Sequence, residues 1–219
     1  FDTAELYGRG YSEELIAKAL GGVRDQIAIA SKAGTDNFPP ARLRQACENS
    51  LRRLKTDRID LYQLHWPSRE VPIGDIVDTL RELQAEGKIL HYGVSNFGPR
   101  DLAECMATGA TPVSNQLAYN LLFRALECEI EPLCRKHGIS ILPYSPILQG
   151  LLAGKFANAD DVPADRARTR HFSRERPDAR HDEEGAEEET FAAVAAVREI
   201  ADELGLPMAD MALAWLLAQ

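Results

Sequence analysis

Six short apolar runs in this chain stop at polar residues of kinds that can move protons or make directed hydrogen bonds. The runs cover 1–2, 27–32, 59–65, 92–96, 113–116 and 139–145. They end at Asp2, Lys32, His65, Ser95-Asn96, Gln116 and Tyr144-Ser145, and Tyr7 stands five residues beyond Asp2. A tyrosine, with a reference pKa of about 10, is a poor acid–base group at neutral pH unless a nearby cation stabilises its phenolate. Lys32 can supply that cation, Asp2 can hold the lysine by a charged hydrogen bond, and His65 offers a second donor. Taken singly, each has an ordinary structural explanation: Asp2 a turn or cap residue, Tyr7 a loop aromatic, Lys32 a strand end reaching water, His65 a hydrogen-bonded core histidine, Ser95, Asn96 and Gln116 strand-end caps. Their common placement at consecutive strand ends favours one site.

The elements that must position them alternate. Segments 12–20, 41–55, 75–86, 99–108 and 127–137 have helical spacing and follow five of the runs, with Gly87 and Gly138 as stops. Repeated βα units predict an α/β chain built around a parallel sheet. A closed (β/α)8 TIM barrel would bring the strand ends to one rim, the C-terminal rim where such barrels place their active sites. About six strands are legible where a barrel has eight. The barrel is therefore expected to be incomplete at both ends of residues 1–219, as an interior fragment forming one domain. After Ser145 the rhythm breaks. Residues 156–189 run irregularly from a basic block (Arg166, Arg168, Arg170, Arg174, Arg176) into an acidic one, a length that marks a functional or mobile loop. Two further helices are expected over 188–203 and 208–217.

A 219-residue chain that is 45% hydrophobic buries a sizeable core without disulfides or metal. Its formal charge of -9 argues against nucleic acid or an anionic membrane surface as a partner. Cys47, Cys105, Cys128 and Cys134 lack paired zinc spacing and fall in helical segments, as expected of reduced thiols in a cytoplasmic protein. No run approaches the roughly 20 apolar residues of a membrane helix.

The run Asp2-Thr-Ala-Glu-Leu-Tyr7-Gly-Arg-Gly-Tyr-Ser-Glu13 resembles the opening signature of the aldo-keto reductases. The resemblance continues in order through Ser31-Lys32, Leu64-His65-Trp66-Pro67, Gly93-Val-Ser95-Asn96-Phe97, Asn115-Gln116 and Pro143-Tyr-Ser145-Pro146, then Gly150-Leu-Leu-Ala-Gly154-Lys155. It implies a reductase that transfers hydride from NADPH to an aldehyde or ketone, with Tyr7 as general acid assisted by Lys32, Asp2 and His65. By the same resemblance, Ser95, Asn96 and Gln116 hold the nicotinamide carboxamide, and Tyr144 stacks on its ring. Ser145, Pro146, Ile147, Leu148 and Gln149 line the pyrophosphate, and Lys155 contacts a phosphate. NADP(H) rather than NAD(H) follows from family habit alone, since the familiar site for the 2'-phosphate lies after the eighth strand, which is expected outside residues 1–219. No metal is implied, and Gly8-Arg-Gly10 lacks the third glycine of a Rossmann fingerprint. Trp66 is expected to wall the substrate pocket. Two other functions use the same residues: a cofactor-binding, redox-sensing regulatory subunit with little turnover, and a class I aldolase with Lys32 as Schiff-base nucleophile. The natural carbonyl substrate and the oligomeric state are not encoded in these motifs.

Overall fold

A computed structural model describes residues 1–219. The chain divides into two compact units, one made of 1–117 and 126–142, the other of 118–125 and 143–219.

The first unit carries β1 (Ala30–Ala33), β2 (Ile59–Leu64), β3 (Ile89–Ser95) and most of β4 (Ser114–Ala118) and β5 (Ser140–Tyr144). The sheet order is β1-β2-β3-β4-β5, and the pairs β1–β2, β2–β3 and β3–β4 are parallel. The run at 1–2 adds a single parallel bridge, Asp2 to Ala30, rather than a strand. Helices α1 (Tyr11–Leu20), α2 (Pro40–Leu54), α3 (Ile73–Ala85), α4 (Pro99–Ala107) and α5 (Ile130–His137) fall in the gaps between these pairing segments, within a few residues of the expected spans. Their ends follow local chemistry. Proline opens α2 and α4, where the missing N–H would be unsatisfied anyway, and Gly138 closes α5 in the left-handed conformation.

Alternation along the strands sorts the side chains onto two faces. Ile29, Ala33, Tyr62, Leu64 and Val94 join Leu43, Cys47, Ile76, Leu80 and Leu102 of the helices in one buried core. Lys32, Gln63 and His65 lie on the other strand face and are also buried, as polar groups. The register aligns Lys32 with Gln63 and Gln63 with Gly93. Gly93 leaves the room that Ser114 needs, since a Cβ there would collide with the Ser114 Oγ. Burial pushes the Cys47 thiol up to about 12 and that of Cys105 to about 11, so both stay protonated and unreactive.

The second unit packs α6 (Glu187–Leu204) and α7 (Met208–Leu217) around a core of its own that includes Leu151, Leu152, Phe156, Phe172 and Val194. The irregular segment before α6 is folded back on itself. Arg180 N donates to Arg168 O at 2.9 Å and Ala186 N to Arg170 O at 3.0 Å, so the acidic block lies along the basic one. Gly185, at φ +87°, permits the return, because a side chain there would strike the Phe172 carbonyl.

Candidate active site

The structure brings Asp2, Tyr7, Lys32 and His65 together. Lys32 is fully buried on β1, and its Nζ donates to Asp2 Oδ1 at 2.5 Å and to the Thr3 carbonyl at 2.8 Å. A buried ammonium needs such partners, since an unpaired charge out of water costs several kcal/mol. Asp2 also gathers two amides: Gln116 Nε2 donates to Oδ2 at 3.0 Å and Gln63 Nε2 at 3.4 Å. The carboxylate is a hub that fixes three strand ends at once.

Tyr7 begins a short 3-10 turn, Tyr7–Gly10, and is 43% exposed. The Lys32 ammonium sits 5.0 Å from the centre of its ring. His65 meets that ring edge-on, with centroids 5.8 Å apart and planes at 80°. Trp66 covers the imidazole from another side, stacked at 3.8 Å with planes at 6°. Burial, with a smaller push from the Lys32 charge, lowers the His65 pKa to about 4, so the ring is neutral at physiological pH. Its Nδ1 is buried without a hydrogen-bond partner, so no second group dictates the tautomer.

Ser95, Asn96 and Gln116 are adjacent, and they are bonded to one another and to the cluster. Ser95 Oγ donates to the Gln116 carbonyl at 3.0 Å, while Asn96 Nδ2 donates to the His65 carbonyl at 3.0 Å and to Ser95 Oγ at 3.1 Å. Asn96 has φ of +62°, a conformation asparagine tolerates better than most residues.

Sequence reasoning missed Glu13, Gln63 and Asn120. Glu13 is fully buried, accepts from Ser31 Oγ at 2.6 Å and from Arg53 Nε at 2.6 Å, and so ties the helix after Tyr7 to the strand residue before Lys32. A signal for Gln63 existed, because it lies two residues before His65 and therefore on the same strand face. Nothing local marked Glu13, whose partners stand 18 and 40 residues away.

In the second unit, Tyr144, Ser145, Leu148 and Gln149 line a cavity of about 720 Å³, together with Asn120 and several arginines. Asn120 is buried and shapes this loop: its Nδ2 donates to the Ser145 carbonyl at 3.0 Å while its Oδ1 accepts from Leu122 N and Phe123 N. Ser145, Leu148 and Gln149 all have positive φ, so the loop is held in a conformation side chains disfavour. Of the other residues expected at the pyrophosphate, Ile147 packs against the second core and Lys155 lies over the Phe156 ring, 5.8 Å from its centre; neither these nor Pro146 belong to the cavity lining. No cluster of three or more His, Cys, Asp or Glu side chains is placed to hold a metal ion, and no helix is long and apolar enough to cross a membrane.

The sequence model of the aldo/keto reductase family matches residues 1–219, and the chain belongs to that family. Its α/β fold, with a parallel sheet and interleaved helices, is part of the family's (β/α)8 barrel. The chain is 40% identical over 164 residues to aldo-keto reductase YhdN of Bacillus subtilis, an alignment covering 70% of this chain and 49% of that one. It is 36% identical over 197 residues to an NADH-specific methylglyoxal reductase of Escherichia coli, covering 80% and 60%. Among solved structures it resembles an aldo-keto reductase from Klebsiella pneumoniae in complex with NADPH, with a TM-score of 0.76 and 30% identity over 100% of this chain and 65% of that one. The chain spans about half the length of the curated relatives it matches.

Proposed function

We propose that the protein is a nicotinamide-dependent carbonyl reductase in which Tyr7 is the general acid. The observation that carries the reading is the buried Lys32 ammonium, fixed by Asp2 and placed 5.0 Å from the Tyr7 ring, with the His65 ring alongside. When bound, the reduced nicotinamide supplies the hydride, which no side chain can provide.

The chain's own residues then do the acid–base work. Tyr7 gives its phenolic proton to the carbonyl oxygen as negative charge develops there. Lys32 stabilises the phenolate left behind, and Asp2 keeps the lysine in place. His65, neutral at physiological pH, donates a hydrogen bond that orients the carbonyl. Ser95, Asn96 and Gln116 offer the hydroxyl and amide groups that complement a carboxamide. In the second unit, Tyr144 provides a ring for stacking, and Ser145 to Gln149 provide the loop at the pyrophosphate. A dinucleotide suits these residues because that unit's cavity combines an aromatic ring with an excess of guanidinium groups. Lys155 is assigned to a phosphate on the strength of the motif alone.

NADP(H) is the cofactor we expect, although one relative is named NADH-specific, so both must be tried. The Klebsiella protein was solved with NADPH, in line with that expectation. Small aldehydes and ketones are the substrate class, the Escherichia coli relative being named for methylglyoxal. A reducing cytoplasm suits the four free cysteines.

The test is consumption of NADPH and of NADH by the full-length protein with aromatic and aliphatic aldehydes, beside its Tyr7→Phe variant. Loss of about a hundredfold or more in turnover with cofactor binding retained supports proton transfer from Tyr7. If wild type and variant both bind cofactor and neither reduces any carbonyl, the reductase reading fails and a redox-sensing regulatory role replaces it.

A further inference from the structure

The turn that carries Tyr7 passes through three left-handed residues in succession, Gly8 at φ +60°, Arg9 at +56° and Gly10 at +95°. Such a backbone is disfavoured, most of all at Arg9, and it persists where the chain on both sides is fixed. Before the turn, Thr3 N donates to the Ala30 carbonyl at 2.9 Å and Glu5 N to the Lys32 carbonyl at 3.3 Å. After it, α1 opens with Glu13, a fully buried carboxylate that the proton transfer does not use. Glu13 accepts from Ser31 Oγ of β1 and from Arg53 Nε of α2, both at 2.6 Å. Gly10 leaves room for the arginine, because a Cβ there would run into the Arg53 side chain as it passes.

These contacts close a ring around the segment that bears Tyr7. Lys32 Nζ donates to the Thr3 carbonyl at 2.8 Å, and Thr3 Oγ1 donates to Ser12 Oγ at 2.8 Å. Ser12 leads directly into Glu13, and Glu13 is bonded to Ser31, the residue before Lys32. The ring thus begins and ends at the ammonium that sits 5.0 Å from the Tyr7 ring centre. A buried carboxylate is a costly way to hold α1 on α2, since apolar side chains of similar size would do so with no ion to desolvate. What the ion pair adds is direction: charge-assisted bonds of defined geometry set where the helix begins.

We propose that Glu13 is a positioning residue which, through Ser31 and Arg53, sets the distance between the Tyr7 phenol and the Lys32 ammonium. It acts through Tyr7 and not on the carbonyl. The inference deepens the reductase reading and rests on it for the effect on turnover, whereas the placement of Tyr7 can be measured without turnover.

The experiment joins steady-state kinetics of aldehyde reduction, with NADPH and with NADH, to NMR of the full-length protein labelled with fluorotyrosine. The Tyr7 resonance is the one missing from Tyr7→Phe, and Lys32→Met shows how it moves when the ammonium is lost. Ser31→Ala cuts the tie to β1 but keeps the Glu13–Arg53 pair, whereas Glu13→Gln removes the charge that both partners bind. Turnover should fall about tenfold in the first and about a hundredfold in the second, as for a displacement approaching an ångström, with the aldehyde KM and the cofactor Kd unchanged. The Tyr7 resonance should move in both. Arg44→Gln, which breaks ion pairs with Glu82 and Glu86 on the surface, should leave turnover and the Tyr7 resonance as in wild type. Circular dichroism and thermal midpoints check that the variants fold, and Ser31→Ala carries the test if Glu13→Gln does not. A Tyr7 resonance that stays in place overturns the proposal. So does an active protein whose variants lose stability yet keep their turnover, or change in KM alone. If wild type reduces no carbonyl but the Tyr7 resonance moves in both variants and holds in Arg44→Gln, the reductase reading falls and the positioning role of Glu13 stands.

Discussion

The two units handle charge in opposite ways. In the first, one ammonium is buried in a sheet against Asp2, and the carboxylate and the two amides that donate to it come from chain segments fixed by strand pairing: Asp2 by its bridge to Ala30, Gln63 by register with Lys32, Gln116 by pairing with β3. In the second, many charges ride on an irregular segment and mostly neutralise one another near the surface, as Arg170 does with Glu183 and Arg176 with Asp160 and Glu187. Rigid pairing suits a proton transfer, where a misplacement of an ångström is costly. A charged loop suits an anion, where complementarity matters more than a single angle.

The largest effect that would test this contrast is Lys32→Met. Turnover should fall by a factor of about a hundred to ten thousand, the size expected from the role proposed for Lys32 in proton transfer. Urea unfolding should also show a loss of about 2 kcal/mol, less than the 3–5 kcal/mol of a fully buried pair because the Asp2 side chain is 41% exposed. Unchanged stability would break the claim that the first unit's charge is part of its fold.

His65 gives the next largest effect, and its sign is definite. Its pKa is about 4 in the folded chain against 6.5 when exposed, so between those values the unfolded chain binds the extra proton. Stability from this group is complete above pH 6.5 and is lost as pH falls toward 4, by up to about 1.4 kcal/mol per pH unit. Thermal midpoints of wild type and His65→Gln measured from pH 7 to pH 4 should converge on acidification. Parallel curves would mean that the ring takes up its proton in the fold as readily as in water.

Smallest is the effect of Arg176→Gln in the second unit, about 1 kcal/mol by urea unfolding, because both of its ion pairs reach solvent. The Arg176 guanidinium holds the Glu187 carboxyl below the usual range, so the remaining stabilisation should vanish as pH falls and that carboxylate protonates. A cost several times larger would erase the contrast between the units, since the loop's ion pairs would then be as structural as the Lys32 pair.

Much of the first unit was legible without coordinates. Short apolar runs ending in Lys32, His65 and Gln116 announced strands, and the helical stops at Gly87 and Gly138 announced what lies between them, because hydrophobic period and glycine punctuation are local properties of a chain. The residue types of the cluster were equally plain, since a tyrosine, a lysine, an aspartate and a histidine at successive strand ends are hard to explain as separate accidents. Partners were not. Gln116 was expected at a carboxamide, yet its side chain also reaches back 114 residues to Asp2. The basic block stood out in the sequence only as part of a long irregular segment, but the acidic block folds onto it, pairs with Arg170 and Arg176, and leaves Arg166, Arg168 and Arg180 without a carboxylate partner around a cavity.

The sequence by itself determined which elements form and which chemically able side chains stand at their ends. Only the tertiary structure decided which charges are buried, which are neutralised and which remain available, because those outcomes depend on long-range pairing and burial, to which a residue's immediate neighbours contribute almost nothing.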